Sequence, residues 1–446
     1  MIWLVDYTHY VQDIDPGLVQ CKTDYFRIKS WKRYQVIGPT SPPRSRVYAL
    51  GLLRIATILD RNHIPVRYMH YYMLREILQS GREELPETIA FSCVCPTVPG
   101  CAEMAGEIRK VSPGTRLILG GVHVNLNAEE TARRYPVFDL MAVGYEKEAA
   151  EKIAGAPLED VREIYADFGL LPFPLSSYAV NTFTGAGCPF QCSYCADGFA
   201  PRFRASWDGQ LGMMKQLLPE RTLIHFFDSV LGYSREGMHR VCEVVRETGH
   251  NFILSCDMRA DMLTPGLVRD LRKAGFAELR LGVESGDQSL LDRNKRTLAV
   301  DRFAGIMRMI RDNSDIYITL YSITGLPGTT AHSQQITLEY FDLLLQEHLA
   351  DEIKNTLYVP YPMKGIDYAA RGIRILTDDW SKYDRQSFPV FETKEMNAAE
   401  LWELYLHTAR EINKSWLKGC GFADYDSIPV LEGYYTEYIK ENYQVT

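Results

Sequence analysis

The sequence predicts an α/β protein: an amino-terminal doubly wound parallel sheet, then a partial (β/α)6 barrel, then a small helical tail. Two observations carry that prediction. Short apolar, strand-like runs alternate with stretches of helical period, which implies parallel strands joined by crossover helices. The alternation also occurs twice, once before about residue 155 and again from about residue 181.

Taken in order, Met1-Ile-Trp-Leu-Val-Asp6 reads as the first strand. An aromatic-rich polar stretch follows, up to Pro42-Pro43. Leu52, Ile55, Ala56 and Leu59 then fall at i, i+3, i+4, i+7, a helix that Asn62 ends. Ile64, Val66 and Tyr68 alternate as a strand, and Thr88–Ser92 is another, followed by a helix near 101–110. Leu117-Ile-Leu119 runs into Gly120-Gly121, and Leu140–Val143 runs into Gly144. These elements place the first domain at residues 1–155, with a linker over 156–180.

The second alternation has strands near 181–184, 222–227, 252–256, 278–283, 316–323 and 354–359, and it defines a domain over 181–385. One intervening helix starts clearly: Thr264 is an N-cap, Pro265 stands at its first turn, and Gly275 is its stop. Six βα units closing part of a circle put the chemistry at the carboxyl ends of the strands. In the tail, 386–446, Asn397 and Glu400 can form a capping box. There Leu401, Leu404, Tyr405, Thr408 and Ile412 line one helix face, which Gly419 ends.

The 446 residues carry a net charge of -8, which argues against a nucleic-acid or anionic-membrane partner, since phosphate binding wants a basic face. An acidic protein suits a small polar substrate, neutral or cationic. The first residues lack the basic region of a signal peptide, and no run approaches the ~18 apolar residues of a membrane span. A cytoplasmic location follows as the expectation, and the ten cysteines then read as thiols or metal ligands rather than disulfides.

The most specific stretch is Gly187-Cys188-Pro-Phe-Gln-Cys192-Ser-Tyr194-Cys195, directly after the first barrel strand. Three thiolates on one short loop can hold three irons of a [4Fe–4S] cube. The fourth iron then lacks a protein ligand and can chelate the amino and carboxylate groups of S-adenosylmethionine (SAM). A structural zinc site would want a fourth ligand, usually in paired C-x2-C knuckles, and no His or Cys sits nearby in sequence to supply it. With this spacing, and an aromatic before the third cysteine, the chain resembles the radical SAM superfamily over most of residues 181–385.

The resemblance assigns further residues to SAM. Tyr194 matches the aromatic near the adenine. Asp228, closing Phe226-Phe-Asp228, takes the place of the contact to the methionine amine. Arg259 looks like the arginine that forks onto the SAM carboxylate. Glu284, Ser285 and Gly286 resemble the ribose-binding turn. Tyr321-Ser-Ile323-Thr-Gly325-Leu-Pro-Gly328 resembles a G-x-I-x-G-x-x-G pattern with Tyr321 replacing its first glycine. It implies Ile323 on the adenine and a close backbone approach at Gly325. Tyr361, in Pro360-Tyr361-Pro362, closes strand six. The superfamily also implies an electron donor of flavodoxin or ferredoxin type.

Residues 47–155 resemble the cobalamin-binding-type domain that precedes many radical SAM domains. The matching stretches are Leu50-Gly-Leu-Leu53, Gly120-Gly121-Val-His123, Glu129-Glu130 and Val143-Gly144-Tyr-Glu146-Lys-Glu148. Ser92, Thr97, Gly100, Gly120 and Gly121 are the small residues that could line a corrin groove. There is no D-x-H-x-x-G motif, aromatic residues crowd 7–34, and His123 reads as a structural histidine rather than an axial ligand. Cobalamin is therefore possible but not favoured. Cys93, Cys95 and Cys101 read as buried free thiols rather than a second cluster.

Two reaction classes follow. The favoured one is radical dehydration or deoxygenation of an aminosugar-like diol, by analogy with the radical SAM diol dehydratase of aminoglycoside 3′-deoxygenation, an antibiotic-pathway lyase. The alternative is a cobalamin-dependent radical SAM methyltransferase. The residues do not name a catalytic acid or base.

Overall fold

The computed structural model describes residues 1–8, 33, 46–159, 163–294, 299–385 and 387–421. The aromatic stretch after β1 and the chain beyond 421 lie almost wholly outside the described residues.

The first half runs β1 (Ile2–Tyr7), α1 (Leu50–Arg61), β2 (Val66–His70), α2 (Tyr71–Ser80), β3 (Thr88–Cys93), α3 (Val98–Val111), β4 (Arg116–Gly120), α4 (Val122–Arg134), β5 (Leu140–Ala142) and α5 (Glu146–Ala154). The strands pair in the order β2-β1-β3-β4-β5, all parallel. That order puts the topological switch, and the ligand crevice such sheets carry, at the carboxyl ends of β1 and β3. Asn62 does end α1: its backbone N–H reaches the carbonyls of Ile58 and Leu59.

The second half runs β6 (Val180–Thr182), β7 (Gly185–Ala186), β8 (Phe203–Arg204), α6 (Asp208–Leu217), β9 (Leu223–Phe226), α7 (Arg235–Glu247), β10 (Ile253–Met258), α8 (Pro265–Lys273), β11 (Phe276–Glu284), α9 (Gln288–Asn294), α10 (Val300–Asn313), β12 (Tyr317–Thr324), α11 (Ala331–Gln346) and β13 (Glu352–Leu357). Six of these strands form one parallel sheet, β13-β12-β11-β10-β9-β6, an open barrel wall. Strand period 2 sorts the two faces. Leu254, Cys256, Leu279, Leu281, Ile318 and Leu320 point outward and are buried with Val268, Met307 and Phe341 of the helices. Ser255, Asp257, Glu278, Arg280, Thr319 and Tyr321 alternate with them and face the lumen. Thr264 caps α8 by accepting from Leu267 N–H, and Gly275 stops it at φ +97°.

β7 and β8 form a two-residue antiparallel pair that carries the cysteine loop between them. β14 (Ile373–Ile375) and β15 (Phe391–Thr393) form a second antiparallel pair, and α12 (Ala398–Gly419) closes the described chain. Asn397 and Glu400 make the reciprocal capping box expected of them. Buried Leu401, Tyr405, Thr408 and Ile412 lie on the inner face of α12.

Two stretches behave differently from the sequence reading. The 156–180 linker is not a bare connector, because Ile164, Ala166, Phe168, Leu175 and Tyr178 are buried in the core shared by both sheets. Residues 359–390, assigned by sequence mostly to the barrel, leave it after β13. Val359, Trp380, Tyr383 and Val390 pack with Val5, Phe91, Leu119 and Cys95 on the far face of the amino-terminal sheet. A hydrophobic pattern says that a residue is buried, not against which sheet.

Candidate cofactor and substrate site

The cysteine loop is clamped at both ends. Gly185 and Gly187 precede it, and a Cβ on either would meet backbone oxygens of Phe203 and Pro201 at 2.2 Å and 2.8 Å. Cys188 N–H donates to Asp197 O (2.9 Å), and Asp197 Oδ2 accepts from Ser229 (2.7 Å). In mid-loop, Ser193 donates from its backbone N–H to Asn294 O (3.0 Å) and from its hydroxyl to Asn294 Oδ1 (2.8 Å). Asn294 Nδ2 in turn donates to Pro327 O (3.0 Å), and Arg371 donates to Ser193 O (2.6 Å). Asn294 thus ties the cysteine loop to the Gly325–Gly328 turn. Neither Asn294 nor Arg371 carries a sequence signal, because each pairs across more than a hundred residues.

Cys188, Cys192 and Cys195 are half-buried free thiols whose charges act on one another. Burial pushes the Cys195 thiol up to about 12 and raises that of Cys188. Such thiols ionise only on gaining a metal partner. Among the described residues no three His, Cys, Asp or Glu side chains converge tightly enough for a single ion. Three thiols on one loop, with no fourth His or Cys beside them in sequence, are the donor set that a [4Fe–4S] cube takes from a protein when one iron is left for another ligand.

Around the loop, part of the expected pocket assembles. Tyr194 is half-buried with its hydroxyl in reach of Cys192 and Glu284; burial first, and then the charge of Glu284, raises it well above its ordinary value. Tyr194 and Ile323 pack against the same apolar cluster, which includes Leu290, Leu326, Tyr358 and Phe391. Glu284 ends β11 at φ +65°, a left-handed conformation that costs about 1–3 kcal/mol in a residue with a side chain, at a register shift between β11 and β12. Arg259 forks onto Asp261 (3.0 Å and 2.7 Å) and lies 4.0 Å over the ring of Phe190 in the cysteine loop.

Other expected contacts are spent elsewhere. Asp228 is buried, and both carboxylate oxygens accept from Thr184 N–H at 3.0 Å, with the Thr184 hydroxyl on Oδ1 as well. Burial raises its carboxyl to about 7 against those donors. Asp228 therefore braces the strand entering the cysteine loop. The Ser285 hydroxyl pairs with Thr337 of α11 (2.7 Å), and a Cβ on Gly286 would meet Tyr340 at 2.6 Å. Both serve packing on that helix. Gly325, at φ +83°, is a turn glycine under Phe391 and Leu401. Tyr361 packs with the amino-terminal core, near Cys95, and not beside Tyr194.

The carboxyl edge of the amino-terminal sheet faces the same region. Tyr145, just beyond β5, stacks on Phe203 of the hairpin that carries the cysteines (5.5 Å, 21°). Of the small residues expected to line a corrin groove, Gly100 is filled by the Tyr7 hydroxyl, and Thr97 bonds Val94. A Cβ on Gly121 would meet Cys93 backbone at 2.5 Å, so that glycine serves strand packing. Ser92, Gly120, Gly121 and an exposed Val122 (53%) lie at the carboxyl ends of β3 and β4, the edge where such sheets bind ligands. His123 is buried, donates to or accepts from Thr131 (3.0 Å) and lies 4.6 Å from Trp380, a structural histidine as its sequence position suggests. Cys93, Cys95 and Cys101 are buried in the apolar core.

Comparison with known proteins gives two domain matches. A family model of the B12 binding domain matches residues 41–154, and one of the Radical SAM superfamily matches residues 182–341. The chain is 24% identical over 424 residues to an anaerobic magnesium-protoporphyrin IX monomethyl ester cyclase of Cereibacter sphaeroides, spanning 84% of this chain and 67% of that protein. It is 18% identical over 417 residues to an uncharacterized methyltransferase of Pyrococcus horikoshii, spanning 83% and 87%. Its fold follows that of the radical SAM methyltransferase TsrM from Kitasatospora setae, solved with cobalamin and a [4Fe-4S] cluster (TM-score 0.62, 14% identity, 93% of this chain and 88% of that one). It also follows the cobalamin-dependent radical enzyme OxsB (TM-score 0.52, 14% identity, 93% and 56%).

Proposed function

We propose that this chain, a radical SAM enzyme with an amino-terminal B12-binding-type domain, is a cobalamin-dependent enzyme that transfers a methyl group to a small substrate. The observation that carries the reading is the pair of domain matches on one chain whose fold parallels a methyltransferase solved with both cofactors. Sequence reasoning alone favours radical dehydration of an aminosugar-like diol and sets cobalamin second. The B12-binding match and the methyltransferase relatives support the reverse order.

When bound, a [4Fe–4S] cluster supplies the electron for reductive cleavage of SAM, and cobalamin supplies a transferable methyl group. The chain's own residues do the positioning. Cys188, Cys192 and Cys195 hold the cluster, with Asp228 and Asn294 fixing their loop from either side. Tyr194 and Ile323 offer the adenine an apolar wall. Glu284, already in a strained turn, presents its carboxylate for the ribose. Arg259, lying on Phe190, is placed beside the cluster for the SAM carboxylate. Ser92, Gly120, Gly121 and Val122 form the edge on which a corrin would lie.

The first test is absorbance of chain purified with cobalamin, which should show stoichiometric corrin. The second, with a competent substrate, is the product ratio. A methyltransferase recharging its corrin makes S-adenosylhomocysteine and 5′-deoxyadenosine together, in a cobalamin-dependent way. Methionine and 5′-deoxyadenosine without the homocysteine product, whether or not cobalamin is added, would return the protein to the eliminating class.

A further inference from the structure

The inner face of the barrel carries a polar column made of residues outside the cofactor contacts proposed above. Its floor is Glu278, fully buried and saturated. Oε2 accepts from Ser255 (2.5 Å), Arg280 Nε (3.2 Å) and the Arg33 guanidinium, and Oε1 accepts from Thr319 (2.9 Å). Against the opposing effect of burial, Arg280, Arg33 and Lys354 hold this carboxyl well below the usual range. The floor is therefore electrically closed.

One layer up, the pairing is incomplete. His225 spans Ser255 (Nδ1, 3.2 Å) and Asp257 (Nε2 to Oδ2, 3.0 Å). Burial lowers the His225 pKa, and the hydrogen bond to Asp257 opposes that shift. Arg280, 3.3 Å from His225, is hydrogen-bonded to Glu278, and its charge also acts on Asp257. Asp257 Oδ1 has no partner among the described residues, and the Asp257 side chain is 29% exposed. Beside it, Phe227 stands edge-on to His225 (5.2 Å, 79°) and is 66% exposed, a bare aromatic ring at a strand's carboxyl end. Phe227 and the open Asp257 oxygen thus stand together at the carboxyl ends of neighbouring strands, where such barrels carry their chemistry.

We propose that Asp257 and Phe227 are the substrate-recognition pair of this barrel: Asp257 accepts a hydrogen from a substrate ammonium or hydroxyl, and Phe227 covers the apolar face beside that group. His225 is a positioning residue that holds Asp257 by one oxygen and leaves the other open. The proposal rests on the radical SAM reading of the barrel and not on cobalamin.

The test is calorimetric titration of the full, anaerobically reconstituted chain with three probes sharing one apolar body: 2-phenylethylamine, 2-phenylethanol and phenylacetate. Saturable binding of the amine or the alcohol is expected, with phenylacetate at least tenfold weaker. Amine binding alone identifies a cationic substrate; comparable alcohol binding identifies a neutral hydroxyl. Asp257→Asn should weaken the amine at least tenfold and narrow its lead over phenylacetate. Phe227→Ala should weaken amine and alcohol alike. His225→Gln, which keeps an N–H toward Asp257, should retain most of the affinity that His225→Ala loses. Phenylacetate binding as well as the amine, no saturation by either donor probe, or an unchanged Asp257→Asn overturns the proposal. If Asp257→Asn loses iron or folded circular dichroism, Phe227→Ala, which removes only an exposed ring, decides. Corrin absorbance recorded on the same samples reports the cobalamin reading separately.

Discussion

His123 is 3% exposed, and burial lowers its pKa to about 4. The sign follows from linkage. A histidine held neutral in the fold stabilises fully above its ordinary value near 6.5, and that contribution is lost as pH falls toward 4. Urea titrations should show the wild type losing up to about 3 kcal/mol more than His123→Gln between pH 7 and pH 4. Equal losses would mean the ring is solvated in solution. The cysteines divide by environment in the same way. Cys188→Ala, Cys192→Ala or Cys195→Ala should each abolish iron binding in a folded chain, whereas Cys95→Ala, deep in the apolar core, should leave iron content unchanged. Iron analysis after anaerobic reconstitution checks both halves. The triplet was legible in sequence because its chemistry is local. For Asp228 and Ser285 a motif gives a residue's position on a strand end and not the direction its oxygens take. Both found partners inside the protein, Thr184 and Thr337, that no spacing predicts.

At the scale of elements, strand periodicity found the parallel strands of both sheets, and capping chemistry found α8 and α12. The short pairs β7–β8 and β14–β15 went unread, since two or three residues carry no period. Gly121, at φ +102°, also lets β4 turn into α4 against Cys93. Gly121→Ala should therefore destabilise by at least about 2 kcal/mol, from the strained φ and the contact together. Gly106, inside α3 with nothing near its Cβ position, gives the control: Gly106→Ala should stabilise by about 0.5–1 kcal/mol. Denaturant midpoints of the two variants moving in the same direction would refute the packing role of Gly121.

Across the whole molecule, the two sheets are joined twice. The 164–178 segment fills one side of the amino-terminal sheet, and residues 359–390 cross back to fill the other. Sequence reading treated 156–180 as a linker and 359–385 as barrel, and missed that both connections are core. Trp380 is the largest of these side chains, 2% exposed, between His123, Tyr135 and Arg134. Trp380→Ala should cost about 3–5 kcal/mol. It should speed amide exchange in β3 and β4 while leaving β11 and β12 protected, measured by hydrogen–deuterium exchange mass spectrometry. Exchange rising equally in both sheets would mean that the segment supports the barrel instead. The crossing has a consequence for the order of synthesis on the ribosome. The amino-terminal sheet emerges first, but the side chains that seal its second face emerge only after all six barrel strands. Until then α2 and α3 cover that face without them, and Val5, Phe91 and Leu119 wait for Trp380, Tyr383 and Val390 to complete their packing.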